Sequence, residues 1–220
     1  MKIAIIDSGV HCDHPHVEGV AGGVGVTPQG FTDDFIDRLG HGTAVTAAIR
    51  EKTGHDAELY AVRVFDQRLS ANIDTILRAL EWCTGQHMDL INLSLGTSNA
   101  AHREPFERVL NGAPLVVGAA HSLPGDLPGV IGVAPDAECP RDSYRYQDGV
   151  FYASPFPRAI PGVPPERNLN GVSFAVANMT GLIARLLLDT GEPVDPIGAF
   201  NRIQAALVTR LNDVRAATQK

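Results

Sequence analysis

Short runs of apolar, largely β-branched residues alternate along the chain with stretches that repeat at helical spacing. Lys2–Ile6, Glu58–Val64, Asp89–Leu95, Pro114–Ala119 and Val130–Val133 read as buried strands, continuous in apolar character rather than alternating. Ser70–Thr84 reads as a helix: Ile73, Ile76, Leu77 and Leu80 fall on one face, and Ser70 is placed to cap its start. His41–Lys52 reads as a second helix with Gly54 as its stop. Val172–Leu188 is apolar on all sides, which marks a buried central helix, whereas Asp195–Thr218 reads as a surface helix. Ser154–Pro165, rich in proline and glycine, is expected to be a loop.

Strands alternating with helices predict an α/β three-layer sandwich, a mostly parallel central sheet flanked by helices. Such sheets bind ligands beyond the carboxyl ends of their strands. Asp7 follows the first expected strand and Ser94 closes the third, so both stand where a site is expected. At 220 residues and 23.4 kDa, one domain accounts for residues 1–220, with 195–220 as a C-terminal helical extension.

Composition narrows the classes. The chain is 44% hydrophobic and 20% charged, the balance of an ordinary globular protein. Its net charge is −7 and its Lys and Arg are scattered, so a nucleic-acid partner is not expected. Ile3–Ile6 is too short for a secretory segment, and no membrane span is expected. Cys12, Cys83 and Cys139 cannot all pair and match no zinc or redox spacing, so idle thiols in a reducing, cytoplasmic setting are expected.

A hydroxyl nucleophile needs a neutral imidazole to take its proton, and the imidazole needs a carboxylate to fix its tautomer. Three segments offer these groups: Ile5-Ile6-Asp7-Ser8-Gly9-Val10, Gly40-His41-Gly42-Thr43-Ala44-Val45 and Gly171-Val172-Ser173-Phe174-Ala175. Alone, each has a plainer reading, because Asp after a strand is commonly a turn residue and Ser after Gly is commonly a helix cap. Together they run Asp, His, Ser, the order found in subtilisin. A lipase or esterase would show Gly-x-Ser-x-Gly and the order Ser, Asp, His, and neither occurs around Ser173.

In these motifs the chain resembles the subtilase family. Ile3–Asp13 is similar to its aspartate motif, Gly40–Ile49 to its histidine motif and Asn170–Gly181 to its serine motif. Leu59–Phe65, the helix with Glu81-Trp82, and Leu90–Gly96 resemble further family segments in the same order. The resemblance implies a serine endopeptidase in which Asp7 orients the base, His41 is general base and acid, and Ser173 is the nucleophile. It also implies that Ser94-Leu95-Gly96 is an edge that pairs with an extended peptide substrate, with Asp66–Leu69 as the facing strand. By the same resemblance Gly118, Ala119 and Ala120 are expected to bind substrate in the segment that forms the floor of the first specificity pocket, and Ala120, where the family has glycine, is expected to make that pocket shallow and suited to small side chains.

Departures from the family pattern accompany these likenesses. Val172 and Ala177 replace a threonine and a proline around Ser173, and Ala47 replaces a Gly or Ser in the histidine motif; none of these removes a catalytic group. His121 stands where the family has an asparagine that donates to the oxyanion, and is expected to serve the oxyanion hole. His11, Cys12, Asp13, His14 and His16 crowd together but match no structural zinc spacing, and read as a loop. Asp33, Asp34 and Asp37 are candidate calcium ligands, against the plainer reading of an Asp-rich surface loop; no cofactor is otherwise expected. With six residues before Asp7, activity without N-terminal autocleavage is expected. The substrate is expected to be a peptide or protein, matured specifically or degraded generally. A subtilase-fold peptide-binding protein with little turnover is the alternative.

Overall fold

The computed structural model describes residues 1–164, 167–191 and 199–218, with side chains in the last helix described for 200–209. Among the described residues, nine strands form one sheet: β1 (Lys2–Asp7), β2 (Gly22–Thr27), β3 (Gly30–Thr32), β4 (Glu58–Arg63), β5 (Leu90–Leu93), β6 (Leu115–Ala119), β7 (Val130–Pro135), β8 (Tyr144–Gln147) and β9 (Val150–Ala153). Their spatial order is β3-β2-β4-β1-β5-β6-β7-β9-β8. Every neighbouring pair is parallel except β2–β3 and β8–β9, the two antiparallel edges. All five expected strands are present, and they occupy the parallel centre together with β2 and β9.

Five α-helices among the described residues cover the sheet: α1 (His41–Thr53), α2 (Ile73–Gly85), α3 (Arg103–Leu110), α4 (Val172–Thr190) and α5 (Ala199–Thr218). Successive side chains of a strand face opposite ways. Ile3 and Ile5 of β1 therefore join one core with Val45 and Ile49 of α1, and with Phe174, Met179 and Ile183 of α4. Ala4 and Ile6 join the other, with Ile76 and Leu80 of α2 and Phe106 of α3. These two cores separate three layers, the α/β sandwich the alternating pattern implies. By length and composition α4 could cross a membrane, yet here it is the buried central helix.

The structure corrects several local expectations. Asn72, not Ser70, caps α2, its side chain accepting from the Thr75 N–H at 2.8 Å and the Thr75 hydroxyl at 2.7 Å. β5 stops at Leu93, leaving Ser94 just past its end. Asp66–Leu69 forms a bend rather than a strand, and Arg63 draws the Asp66 carboxylate back to β4 at 3.0 Å. Helix α5 is not simply superficial, since Ile203 and Leu207 are buried in the α1/α4 core and Tyr144 Oη donates to the Leu207 carbonyl at 2.7 Å. Pro165, ending the expected loop, and Asp195, beginning the expected last helix, lie outside the described residues.

Candidate functional site

Asp7 ends β1 and is fully buried. Its Oδ1 accepts the Ser8 N–H at 2.7 Å and lies 2.7 Å from Nδ1 of His41, the first residue of α1. A carboxylate on Nδ1 fixes the proton there and leaves Nε2 as the base. The approach depends on Gly42, because a Cβ there would sit 2.2 Å from the Gly9 carbonyl oxygen and 3.2 Å from Asp7.

A second carboxylate, Asp37, braces the same turn. Its Oδ1 accepts the Leu39 and Gly40 N–H groups and the Ser8 hydroxyl, each at 2.9 Å. Its Oδ2 accepts the Thr43 N–H at 2.8 Å and the Thr43 hydroxyl at 2.6 Å. The Ser8 hydroxyl oxygen in turn accepts the Gly42 N–H at 2.9 Å, so Asp37 holds residues on both sides of His41. Burial raises the Asp37 carboxyl, but the bonds from Thr43, Leu39 and Ser8 outweigh it and keep the group below the usual carboxylate range. For His41, burial pulls the imidazole down, while the Asp7 hydrogen bond and the charges of Asp7 and Asp37 raise it to a net value above the usual one.

Ser173 lies in the first turn of α4, behind Gly171 at φ 147°, a backbone angle suited to glycine. It and Ser94 bond reciprocally, Ser173 Oγ to the Ser94 carbonyl at 3.3 Å and Ser94 Oγ to the Ser173 carbonyl at 3.1 Å. The next residue, Phe174, has its ring 5.4 Å from the His41 ring. In this rotamer the Ser173 hydroxyl serves Ser94 rather than His41.

β5 and β6 pair up to Leu93 and Gly118, and the chains then part. Ser94, Leu95 and Gly96 continue along one side, and among the described residues no hydrogen bond engages the backbone of Leu95 or Gly96. Leu95 and Gly96 also border a cavity of about 220 Å³ with Leu69, Ile73 and Phe106. Gly118 and Ala119 stay within β6, and the Ala120 N–H donates to Val133 at 2.9 Å, extending the pairing with β7. His121 follows, exposed and at φ 63°, with its N–H on Asp126 Oδ1 at 2.7 Å and its imidazole without a hydrogen-bond partner among the described residues.

The other candidates lie apart from one another. Asp37 is committed to its turn, Asp34 pairs with Arg38 and Arg63, and Asp33 is exposed. His11, His14 and His16 lie in the loop between β1 and β2, with the His14 and His16 rings 5.2 Å apart edge to face. Among the described residues, no three His, Cys, Asp or Glu side chains converge as a metal site. All three cysteines are free, and burial raises the thiols of Cys12, Cys83 and Cys139. Sequence reasoning missed Asp37 as a structural carboxylate; its position four residues before His41 was the available signal.

The model of the subtilase family matches residues 1–138, a span that contains Asp7 and His41 and ends before Ser173. Subtilisin E of Bacillus subtilis (strain 168) is 34% identical over 130 residues, 54% of this chain and 34% of its own length. A thermostable alkaline protease of Halalkalibacterium halodurans is 29% identical over 209 residues, 83% of this chain and 55% of its own. Among solved structures, that of the prenylagaramide maturation protease PagA superposes with a TM-score of 0.64 at 24% identity, covering 91% of this chain and 80% of that one. The chain belongs to the subtilase family. It spans about a third of the length of subtilisin E.

Proposed function

We propose that the chain is a serine endopeptidase in which Asp7, His41 and Ser173 act as a charge-relay triad. The observation that carries this reading is the part-buried 2.7 Å contact between Asp7 Oδ1 and His41 Nδ1, with Phe174, the residue after Ser173, packed against the His41 ring. A χ1 rotation turns the Ser173 hydroxyl from Ser94 toward His41 Nε2. Nε2 takes the hydroxyl proton as Oγ attacks the scissile carbonyl, and returns it to the leaving amine; water then cleaves the acyl-enzyme by the same path. The Ser173 N–H, at the positive end of α4, and His121 stabilise the oxyanion. The substrate lies extended along the unpaired backbone of Leu95 and Gly96. It is a peptide matured by a dedicated cut, as the likeness to a maturation protease suggests. The free cysteines suit a reducing, cytoplasmic setting, and the mechanism uses no cofactor.

A fluorophosphonate probe tests the nucleophile, since it reacts with an activated serine. It should label the wild type and leave Ser173→Ala and His41→Ala unlabelled. Equal labelling of Ser173→Ala would place the reactive hydroxyl elsewhere.

A further inference from the structure

We infer, on the peptidase reading above, that the cavity between the β1–β2 loop and the segment leading into α4 is a recognition site for the substrate beyond the cut, and that it takes an apolar peptide segment carrying carboxylates.

The cavity holds about 530 Å³, within the range of about 300–1,000 Å³ that buries a small ligand. His11, His14 and His16 form one wall, and the start of α1, at Gly40, Thr43, Ala44 and Ala47, forms a second. The third is the segment before α4, which brings Ile160, Val163 and Leu169 together with Arg158 and Arg167. Ile160, Val163 and Leu169 are exposed, as is Val172 beside Ser173, so four of the eight exposed large apolar side chains among the described residues fall on this one stretch. Apolar side chains gathered at a cleft and left in water mark a surface that something covers.

Charge narrows what covers it. Asp37 is the one carboxylate lining the cavity among the described residues, and both its oxygens are taken by Ser8, Leu39, Gly40 and Thr43. Neither Arg158 nor Arg167 pairs with a carboxylate among the described residues, and Arg158 reaches across to the His16 carbonyl at 3.4 Å. A guanidinium presents a planar fork of donors that matches a carboxylate. The three imidazoles add donors and no negative charge. Two unpaired forks beside apolar walls therefore fit acidic side chains that alternate with apolar ones.

The walls are held from behind. The His11 N–H donates to Thr43 Oγ1 at 3.0 Å, and the Thr43 hydroxyl donates to Asp37, which joins the loop to α1. Asn178 of α4 donates to the Ser154 and Phe156 carbonyls, each at 2.9 Å, and seats the base of the third wall. A cavity built in advance costs little ordering when it is filled.

Its position ties it to the leaving side. Gly40 and Thr43 flank His41, whose Nε2 returns the proton to the leaving amine in the proposed mechanism. Leu169 precedes Ser173 by four residues, at most about 14 Å of chain. The backbone of Leu95 and Gly96, along which the acyl side is proposed to lie, borders another cavity that shares no residue with this one. A peptide running extended past His41 reaches the cavity within about four residues of the cut.

The test uses a cleavable peptide whose leaving side alternates leucine and glutamate, its counterpart with lysine for glutamate, and an anilide with the same acyl side and no leaving peptide. The wild type should favour glutamate over lysine in kcat/KM by about tenfold at low salt, the scale of a few partly exposed ion pairs. The preference should shrink toward parity in about 0.5 M salt. Arg158→Gln/Arg167→Gln should lose most of it while cutting the anilide at the wild-type rate. No preference in the wild type, one that the double variant retains, or an equal loss on the anilide overturns the inference. Calorimetry of the two leaving-side peptides alone on Ser173→Ala, with and without the arginine substitutions, reads the cavity apart from the chemistry, and fluorophosphonate labelling of Ser173 reads the chemistry apart from the cavity. If Ser173 is unlabelled and no peptide is cut, yet the glutamate peptide binds severalfold more tightly and the arginine substitutions remove the difference, the cavity stands and the peptidase reading falls. If Ser173 is labelled and peptides are cut, but the two leaving-side peptides bind alike, the cavity falls alone.

Discussion

Ser94 and Ser173 hold one another, each hydroxyl donating to the other's carbonyl at 3.1 and 3.3 Å. Ser94 is itself anchored from below. Asn92 Nδ2 donates to Ser94 Oγ at 2.8 Å, and Thr180 Oγ1 of α4 donates to Asn92 Oδ1 at 3.0 Å. Asn92 and Thr180 are fully buried, so a polar chain runs through the apolar core from α4 across β5 and back to the first turn of α4.

Such a chain is worth most when every member is satisfied. Asn92→Ala should destabilise the fold by about 1–3 kcal/mol, from the cavity and the loss of the donor to Ser94 Oγ. Because the chain sets where Ser94 holds Ser173, kcat should also fall with KM little changed. Urea denaturation and steady-state kinetics on one peptide check both, and a stability loss with unaltered kcat would make the chain purely structural.

The parallel centre of the sheet was legible because buried strands are continuous apolar runs bounded by turns. The edges were not. β2 carries Gly22, Gly23 and Gly25, and a Cβ on Gly25 would stand 2.3 Å from the Asp34 carbonyl oxygen, so the residues that make the strand fit also erase its hydrophobic signature. β8 and β9 are four residues each, too short to impose a period. At the site, Asp7, His41 and Ser173 stood out because local glycines frame each one. Asn92 did not, because its role exists only through Thr180 far along the chain, and Asp37 did not, because it read as one of several carboxylates in an acidic loop. Asn92 sits inside an apolar run and read as part of a strand, and its partner Thr180 lies 88 positions away.

Asp37 should show itself in the pH profile. In the proposed mechanism activity requires neutral His41, whose value is raised above the usual 6.5. The acid limb of kcat/KM in the wild type should therefore have its midpoint above about 6.5. Asp37→Asn removes one of the charges that raise His41, so the midpoint should move to lower pH. The variant also turns an amide donor toward the Thr43 N–H, or leaves Ser8 and the Leu39 and Gly40 N–H groups facing one, at about 1–3 kcal/mol of stability. A lower stability with an unmoved acid limb would assign Asp37 to folding alone.

Lys52 makes a separate prediction about stability. Its Nζ donates to Asn178 Oδ1 at 2.6 Å and to the Ala48 carbonyl at 3.2 Å, tying α1 to α4 with its side chain 7% exposed. Burial lowers its value from 10.5 to about 8, against the pull of Asp142. Between these values the unfolded chain holds a proton that the folded chain has released, so folding stability gains as pH rises from 8 toward 10.5. Lys52→Met has no such proton to release. Measured by urea denaturation from about pH 7 to pH 10, the wild type should gain on Lys52→Met by on the order of 3 kcal/mol at most. Parallel curves would mean that Lys52 is charged and solvated in the folded protein.

His121 carries the prediction closest to the chemistry. It stands just past β6, with its imidazole exposed and unbonded among the described residues. Its backbone is held by the N–H bond to Asp126 at 2.7 Å and adopts φ 63°, a conformation that asparagine and histidine both tolerate. A neutral imidazole offers one N–H and so donates from only one ring nitrogen, while an amide presents two N–H groups whatever its state. Losing one oxyanion donor costs about 10²–10³ in kcat in subtilisin, where that donor is an asparagine. If His121 is the donor, as proposed, it is tautomer-dependent, so His121→Ala should lower kcat by at least about tenfold with little change in KM, since only the transition state loses a bond. His121→Asn should retain or raise the rate, because the backbone already accepts it and the amide is always a donor. Asp126→Ala, measured alongside, controls for the turn itself, which that carboxylate holds through the His121 N–H. Equal rates for the wild type, His121→Ala and His121→Asn on one good substrate would remove the imidazole from the mechanism and leave the Ser173 N–H as the principal oxyanion donor.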